Sequence, residues 1–204
     1  MKFKTAPLEP DCVYHIYNRA NGSEPIFLSD ENYRFFLAKY SKYISPITDL
    51  FAYCLMPNHF HFLVRVKGEK ELDAIFRAFP KFGTLEKLLP LSLLLSKQFS
   101  NLFSSYTQAF NKVEGRKGSL FMKNFKRIKV TDERYFAKLV HYIHYNPIEA
   151  GLAENLKVWK YSSYPSFFSK KPSAVRRGEI IAHFGDLQNF IYCHQSPPQV
   201  SGIE

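Results

Sequence analysis

The chain has 204 residues, 46% of them hydrophobic, which is enough for one sizeable core and cramped for two full domains. Its 28 Lys and Arg against 18 Asp and Glu leave a net charge of +10, the footprint of a polyanionic partner. The longest apolar run, Leu88 to Leu95, is too short to span a bilayer and contains Pro90; no apolar signal segment follows Met1, and Cys12, Cys54 and Cys193 lack disulfide-framework or zinc-knuckle spacing. A reduced, cytoplasmic protein is the expectation.

In chain order, Cys12 to Arg19 is β-rich and stops at the turn signal Asn21-Gly22, predicting a first strand. Ser29 or Asp30 caps a helix whose apolar positions Phe35, Phe36, Leu37, Tyr40, Tyr43 and Ile44 recur at helical spacing up to Ser45-Pro46. Two strands, near Asp49 to Met56 and His59 to Val66, are joined by a hairpin turn at Pro57-Asn58. Glu69 to Pro80 leaves a short helix open, and a long helix is predicted over Leu91 to Lys112. Gly115 to Gly118 closes it and opens an extended run, Ser119 to Val130, read as strand or hairpin. Thr131 or Asp132 then caps a third major helix ending near Asn146. The order β-α-β-β-α-β plus one helix predicts an α+β, ferredoxin-like split βαβ fold, with two helices on one sheet face and the added helix on the other.

The chemistry starts at Met56-Pro-Asn-His-Phe-His-Phe-Leu-Val64. Strand side chains alternate faces, so His59 and His61 point one way while Phe60 and Phe62 point into a core. Taken alone, a strand histidine is more often packed or exposed than a ligand. Two side by side make half of a metal site.

The third helix carries His141-Tyr-Ile-His-Tyr-Asn-Pro147. At 100° per residue Asn146 lies about 40° from Tyr142 and Lys138 about 40° to its other side, while the apolar stripe of Phe136, Leu139, Val140 and Ile143 centres near 110°. Tyr142 and Asn146 therefore flank the buried face, one turn apart, and Tyr145 points away from it. A packing tyrosine and a C-terminal cap would be the ordinary reading without the histidines. With them, two imidazoles and an amide oxygen make an incompletely closed ligand set beside a tyrosine hydroxyl.

These residues, with Tyr14-His-Ile-Tyr-Asn-Arg19, Gly118-Ser-Leu-Phe121, Ala150-Gly-Leu152 and Trp159-Lys-Tyr-Ser-Ser-Tyr164, resemble the HUH-type single-tyrosine transposases of small insertion sequences, in particular the REP-associated tyrosine transposase-like branch, over roughly Tyr14 to Tyr164. The resemblance implies that His59, His61 and Asn146 bind a divalent ion, Mg²⁺ or Mn²⁺ by the chemistry of an open phosphate site, and that Tyr142 is the nucleophile. In related enzymes the third ligand is often Gln or an acidic residue, so Asn146 departs from the pattern. The resemblance further implies single-stranded or hairpin DNA as substrate, a 5′-phosphotyrosine intermediate, and either a monomer or a homodimer.

Arg116, Lys117, Lys123, Lys126, Arg127 and Lys129, interleaved with Phe121 and Phe125, read as a basic track for a phosphate backbone, with Arg19, Lys81 and Lys138 as further contacts. A solvated, lysine-protected strand edge is the plainer account of the same run. Residues 1–164 are read as the nuclease domain and 165–204 as an extension with helical segments near Ile180 to Phe184 and Leu187 to Tyr192 and a disordered end, Ser196 to Gly202. A non-catalytic DNA-binding regulator on the same scaffold, and a small RNA-binding module with incidental histidines, are the alternatives.

Overall fold

The computed structural model describes residues 5–78 and 89–198. Lys81 and the end of the expected tail, 199–204, lie outside them. The elements are β1 (Val13–Arg19), α1 (Asp30–Tyr43), β2 (Thr48–Met56), β3 (His59–Val66), α2 (Glu69–Ala78), α3 (Leu91–Val113), β4 (Lys126–Val130), α4 (Glu133–Glu149), a 3₁₀ turn (Tyr164–Phe168), α5 (Arg177–His183) and α6 (Leu187–Cys193). The four strands form one sheet in the order β2-β3-β1-β4, with every neighbouring pair antiparallel.

Each face of that sheet is closed by helices for a reason legible in the strands. On one face Phe60 and Phe62 of β3 meet Phe36 of α1 at ring distances of 5.3 and 6.2 Å, Tyr40 of α1 closes on Phe62 at 4.6 Å, and Phe103 of α3 on Phe60 at 5.6 Å. Burying a ring of this size stabilises by roughly 1.5–3 kcal/mol. On the other face α4 packs against β2 and β3, with Phe136 edge-on to Phe51 at 5.3 Å and Tyr142 edge-on to His61 at 5.5 Å. α1 starts where Ser29 and Asn32 form a capping box, and α4 where Asp132 Oδ1 accepts from the Tyr135 amide at 2.7 Å.

Two boundaries differ from expectation. Ser119 to Val130 is a strand only from Lys126 onward: Gly118 and Asn124 take left-handed backbone angles, φ 88° and 59°, which break an extended run at both ends of 119–124. That stretch instead ties to β1 through Asn21 N to Leu120 O at 2.9 Å and Met122 N to Arg19 O at 3.0 Å. α4 runs three residues past Asn146, through Pro147, which gives up one helical hydrogen bond near the end of the helix.

Residues beyond α4 lie along the outer edge of β2. Leu55 N donates to Tyr161 O, Ser163 N to Tyr53 O and Arg176 N to Leu50 O, at 2.8 to 2.9 Å, while the Trp159 indole donates to Leu55 O at 3.1 Å. At the opposite edge Thr5 bridges Arg127 of β4. Phe167, Ile180 and Phe190 of the C-terminal segment join the same buried cluster as the sheet.

Candidate metal and nucleophile site

β3 and α4 bring His59, His61, Tyr142 and Asn146 together within one chain. The His59 and His61 rings stand perpendicular with centroids 5.1 Å apart. Asn58 Oδ1 lies 2.7 Å from His59 Nδ1, so that nitrogen carries the proton and Nε2 keeps a lone pair. Asn146 Nδ2 donates to the Tyr142 carbonyl at 2.8 Å, which turns its Oδ1 toward His59. His59 Nε2 and Asn146 Oδ1 then face each other at 3.5 Å, longer than a good hydrogen bond, and in the neutral ring with Nδ1 protonated both are acceptors.

That pairing fits a cation. Two atoms that bind one ion at about 2.1 Å each must lie within about 4.2 Å of one another, and these do. Two neutral imidazoles and an amide oxygen are a donor set for a divalent ion that keeps open positions. Among the described residues no three His, Cys, Asp or Glu side chains converge as a metal cluster.

His61 is almost completely inaccessible, and burial, then its neighbours His15 and His59, push its pKa well below the ordinary value. Burial alone takes His15 down to about 3. Both rings are neutral at physiological pH, as a ligand must be. Tyr142 is 7% exposed, with its ring edge-on to both histidines.

No family model matches the chain. A protein of Haemophilus influenzae named as a REP-associated tyrosine transposase is 26% identical over 140 residues, spanning 63% of this chain and 71% of the relative. A solved structure described as the REP-associated tyrosine transposase bound to a REP hairpin aligns with a TM-score of 0.56 at 12% identity, over 84% of this chain and 89% of that one. The chain is thus similar in sequence to a protein named as a REP-associated tyrosine transposase and similar in fold to a hairpin-bound one.

In this chain the basic residues do not form a single track. Arg19 pairs with His59 across the β1–β3 ladder and Lys126 with Tyr17 across β1–β4, so both share the histidine face; Lys138 is exposed one turn before Tyr142. Arg127 and Lys129 alternate to the opposite face and hold the N-terminal segment: Arg127 donates to the Ala6 carbonyl and Lys129 pairs with Glu9. Arg116 is bound to Glu24 at 2.5 Å. Lys117 and Lys123 are exposed. Phe121 and Phe125 are buried against Phe103, at 5.2 and 5.5 Å, and pack the core instead of offering a face to bases.

A second group escaped the sequence reading. His194 Nδ1 donates to the Phe190 carbonyl at 2.7 Å, His144 Nδ1 lies 3.0 Å from His194 Nε2, and His144 Nε2 lies 2.7 Å from Ser163 Oγ, which accepts from Tyr53 N at 2.9 Å and reaches the Tyr53 carbonyl at 3.2 Å. Every nitrogen of the two imidazoles is committed, so they tie α6, α4 and β2 together and hold no ion. His15 and Tyr17, on the histidine face of β1, also went unassigned. Their alternation was visible in Tyr14-His-Ile-Tyr-Asn-Arg19, but the pairing of β1 beside β3 was not.

Proposed function

We propose that this chain is a metal-dependent single-stranded DNA transposase or endonuclease that cleaves and rejoins DNA through a 5′-phosphotyrosine. The observation that carries the reading is the facing of His59 Nε2 and Asn146 Oδ1 beside Tyr142 in one chain. The strand order, with β3 between β1 and β2, suits the ferredoxin-like split βαβ scaffold expected from the order of the elements. The neighbouring structure's hairpin and the charge of +10 both favour hairpin DNA as the substrate.

His59, His61 and Asn146 would hold the divalent ion, Mg²⁺ or Mn²⁺. When bound it supplies positive charge to a non-bridging oxygen of the scissile phosphate. The Tyr142 oxygen attacks the phosphorus in line, its proton passes to a base or water, and the 3′ hydroxyl of the neighbouring nucleotide leaves with a proton. The phosphodiester formed with Tyr142 stays reactive, so the reverse attack by another 3′ hydroxyl rejoins DNA without a nucleotide cofactor. A phenol near pKa 10 is about one part in a thousand ionised at pH 7, so the proton must be taken during attack. Arg19 and Lys126, beside the histidines, and Lys138, before Tyr142, are the cations placed to meet flanking phosphates.

Incubating the protein with labelled single-stranded hairpin DNA and Mn²⁺, then denaturing, is expected to trap a covalent adduct that Tyr142→Phe abolishes. Specific hairpin binding with no adduct under any metal would replace this reading with that of a regulator on the same scaffold.

A further inference from the structure

His15 lies at hydrogen-bond distance from the candidate metal ligand His61. His15 Nε2 lies 3.0 Å from His61 Nδ1, and the rings stack with centroids 5.2 Å apart and planes 20° from parallel. Tyr17 stacks beside both, at 4.8 Å from His15 and 5.7 Å from His61, and Tyr142 closes the group edge-on. The ladder sets this up: Tyr17 stands opposite His61 and His15 opposite Leu63, so His15 is the diagonal neighbour on the same face. A 180° flip of the His61 ring would put carbon where Nδ1 now meets His15.

A neutral imidazole has one proton for two nitrogens. When that proton sits on His61 Nδ1, His15 Nε2 accepts it and His61 Nε2 presents a lone pair; when it sits on Nε2, that atom can bind no ion. We propose that His15 is a positioning residue for His61: it accepts the Nδ1 proton, fixes the ring, and leaves Nε2 as the ligating atom. The inference rests on the reading of His61 as a metal ligand. Ligating imidazoles generally give their second N–H to a carboxylate, carbonyl or water. A carboxylate at this fully buried position would be a costly charge, whereas a neutral imidazole accepts the bond without one.

The test measures ion affinity and the hydrogen bond itself. Mn²⁺ titration followed by electron paramagnetic resonance is expected to show about ten- to a hundred-fold weaker binding in His15→Phe, which keeps the aromatic packing but not the acceptor. His15→Gln, whose amide oxygen reaches the same point, is expected to recover affinity to within a few fold. In the wild-type protein loaded with diamagnetic Zn²⁺, nitrogen-15 NMR is expected to find an exchange-protected proton on His61 Nδ1 with through-bond coupling to His15 Nε2. Wild-type affinity in a folded His15→Phe, or no such coupled proton when that variant fails to fold, overturns the proposal. If the wild-type protein binds neither ion, the reading of the site itself fails.

Discussion

Asn146 uses both ends of one amide. Its Nδ2 is spent on the Tyr142 carbonyl one turn back, and this aims Oδ1 at His59. Asn146→Leu removes the oxygen and is expected to weaken Mn²⁺ binding by at least about tenfold, read by titration. Asn146→Asp gives the opposite pattern. A carboxylate cannot donate to the Tyr142 carbonyl, so the metal-free protein is expected to melt at a lower temperature, while the added charge makes the stabilisation on adding Mn²⁺ larger than in the wild type. Equal thermal shifts in the two proteins would show that Asn146 does not meet the ion. His59 with His61, and Tyr142 with Asn146, were legible as pairs because each rests on a local period, two in a strand and 3.6 in a helix; that the two pairs meet followed from the order of the elements, which put the added helix on the histidine face. His15, His144 and His194 were not legible, because their partners are set by which strands and helices become neighbours, and no local period encodes that.

At the scale of elements, α4 is the part on which the site depends, since it carries Tyr142 and Asn146 and is held at two points. Its N-terminus depends on Asp132, and Asp132→Ala is expected to cost about 1 kcal/mol in urea unfolding. Its middle depends on the Ser163, His144 and His194 chain. Burial takes His194 down to about 3, with His144, His141 and Tyr164 packed against it. An unfolded histidine titrates near 6.5, so between pH 6.5 and about 3 the unfolded chain binds the proton that the folded one refuses. Stability is therefore full above pH 6.5 and falls on acidification, by up to about 1.4 kcal/mol per pH unit for this group. Urea unfolding at pH 7.5 and pH 5.0 is expected to show the loss, and His194→Gln to reduce the difference between the two. The extended reading of Ser119 to Phe125 missed for a comparable reason: composition marked it as strand-like, and two left-handed backbone positions, with docking of Phe121 and Phe125 into the core, decided otherwise.

At the scale of the molecule, the proposed ligands His59, His61 and Asn146 and the proposed nucleophile Tyr142 meet within one chain. Exchange of α4 between chains is not needed to complete the site, and light scattering at micromolar concentration is expected to find one chain per particle that still forms the Tyr142 adduct. An adduct seen only in a dimer fraction would contradict this. The charged track expected from sequence is divided by the strand pleat between two faces, so single substitutions separate its roles. Arg19→Ala is expected to weaken hairpin DNA binding and flatten its salt dependence, with little change in unfolding. Arg127→Ala is expected to lower stability more than DNA affinity, because its guanidinium holds the N-terminal segment on β4.

Each border of the sheet is met by the chain itself, residues 159–176 at Leu50, Tyr53 and Leu55 of β2 and Thr5 at Arg127 of β4. The backbone groups of β2 engaged in this way are no longer available to an incoming peptide strand, which blunts that edge as a template for polymerising through the sheet. A partner that adds as a strand to β2 is therefore disfavoured, and the side chains and helix surfaces of the molecule are what remains open to other kinds of contact.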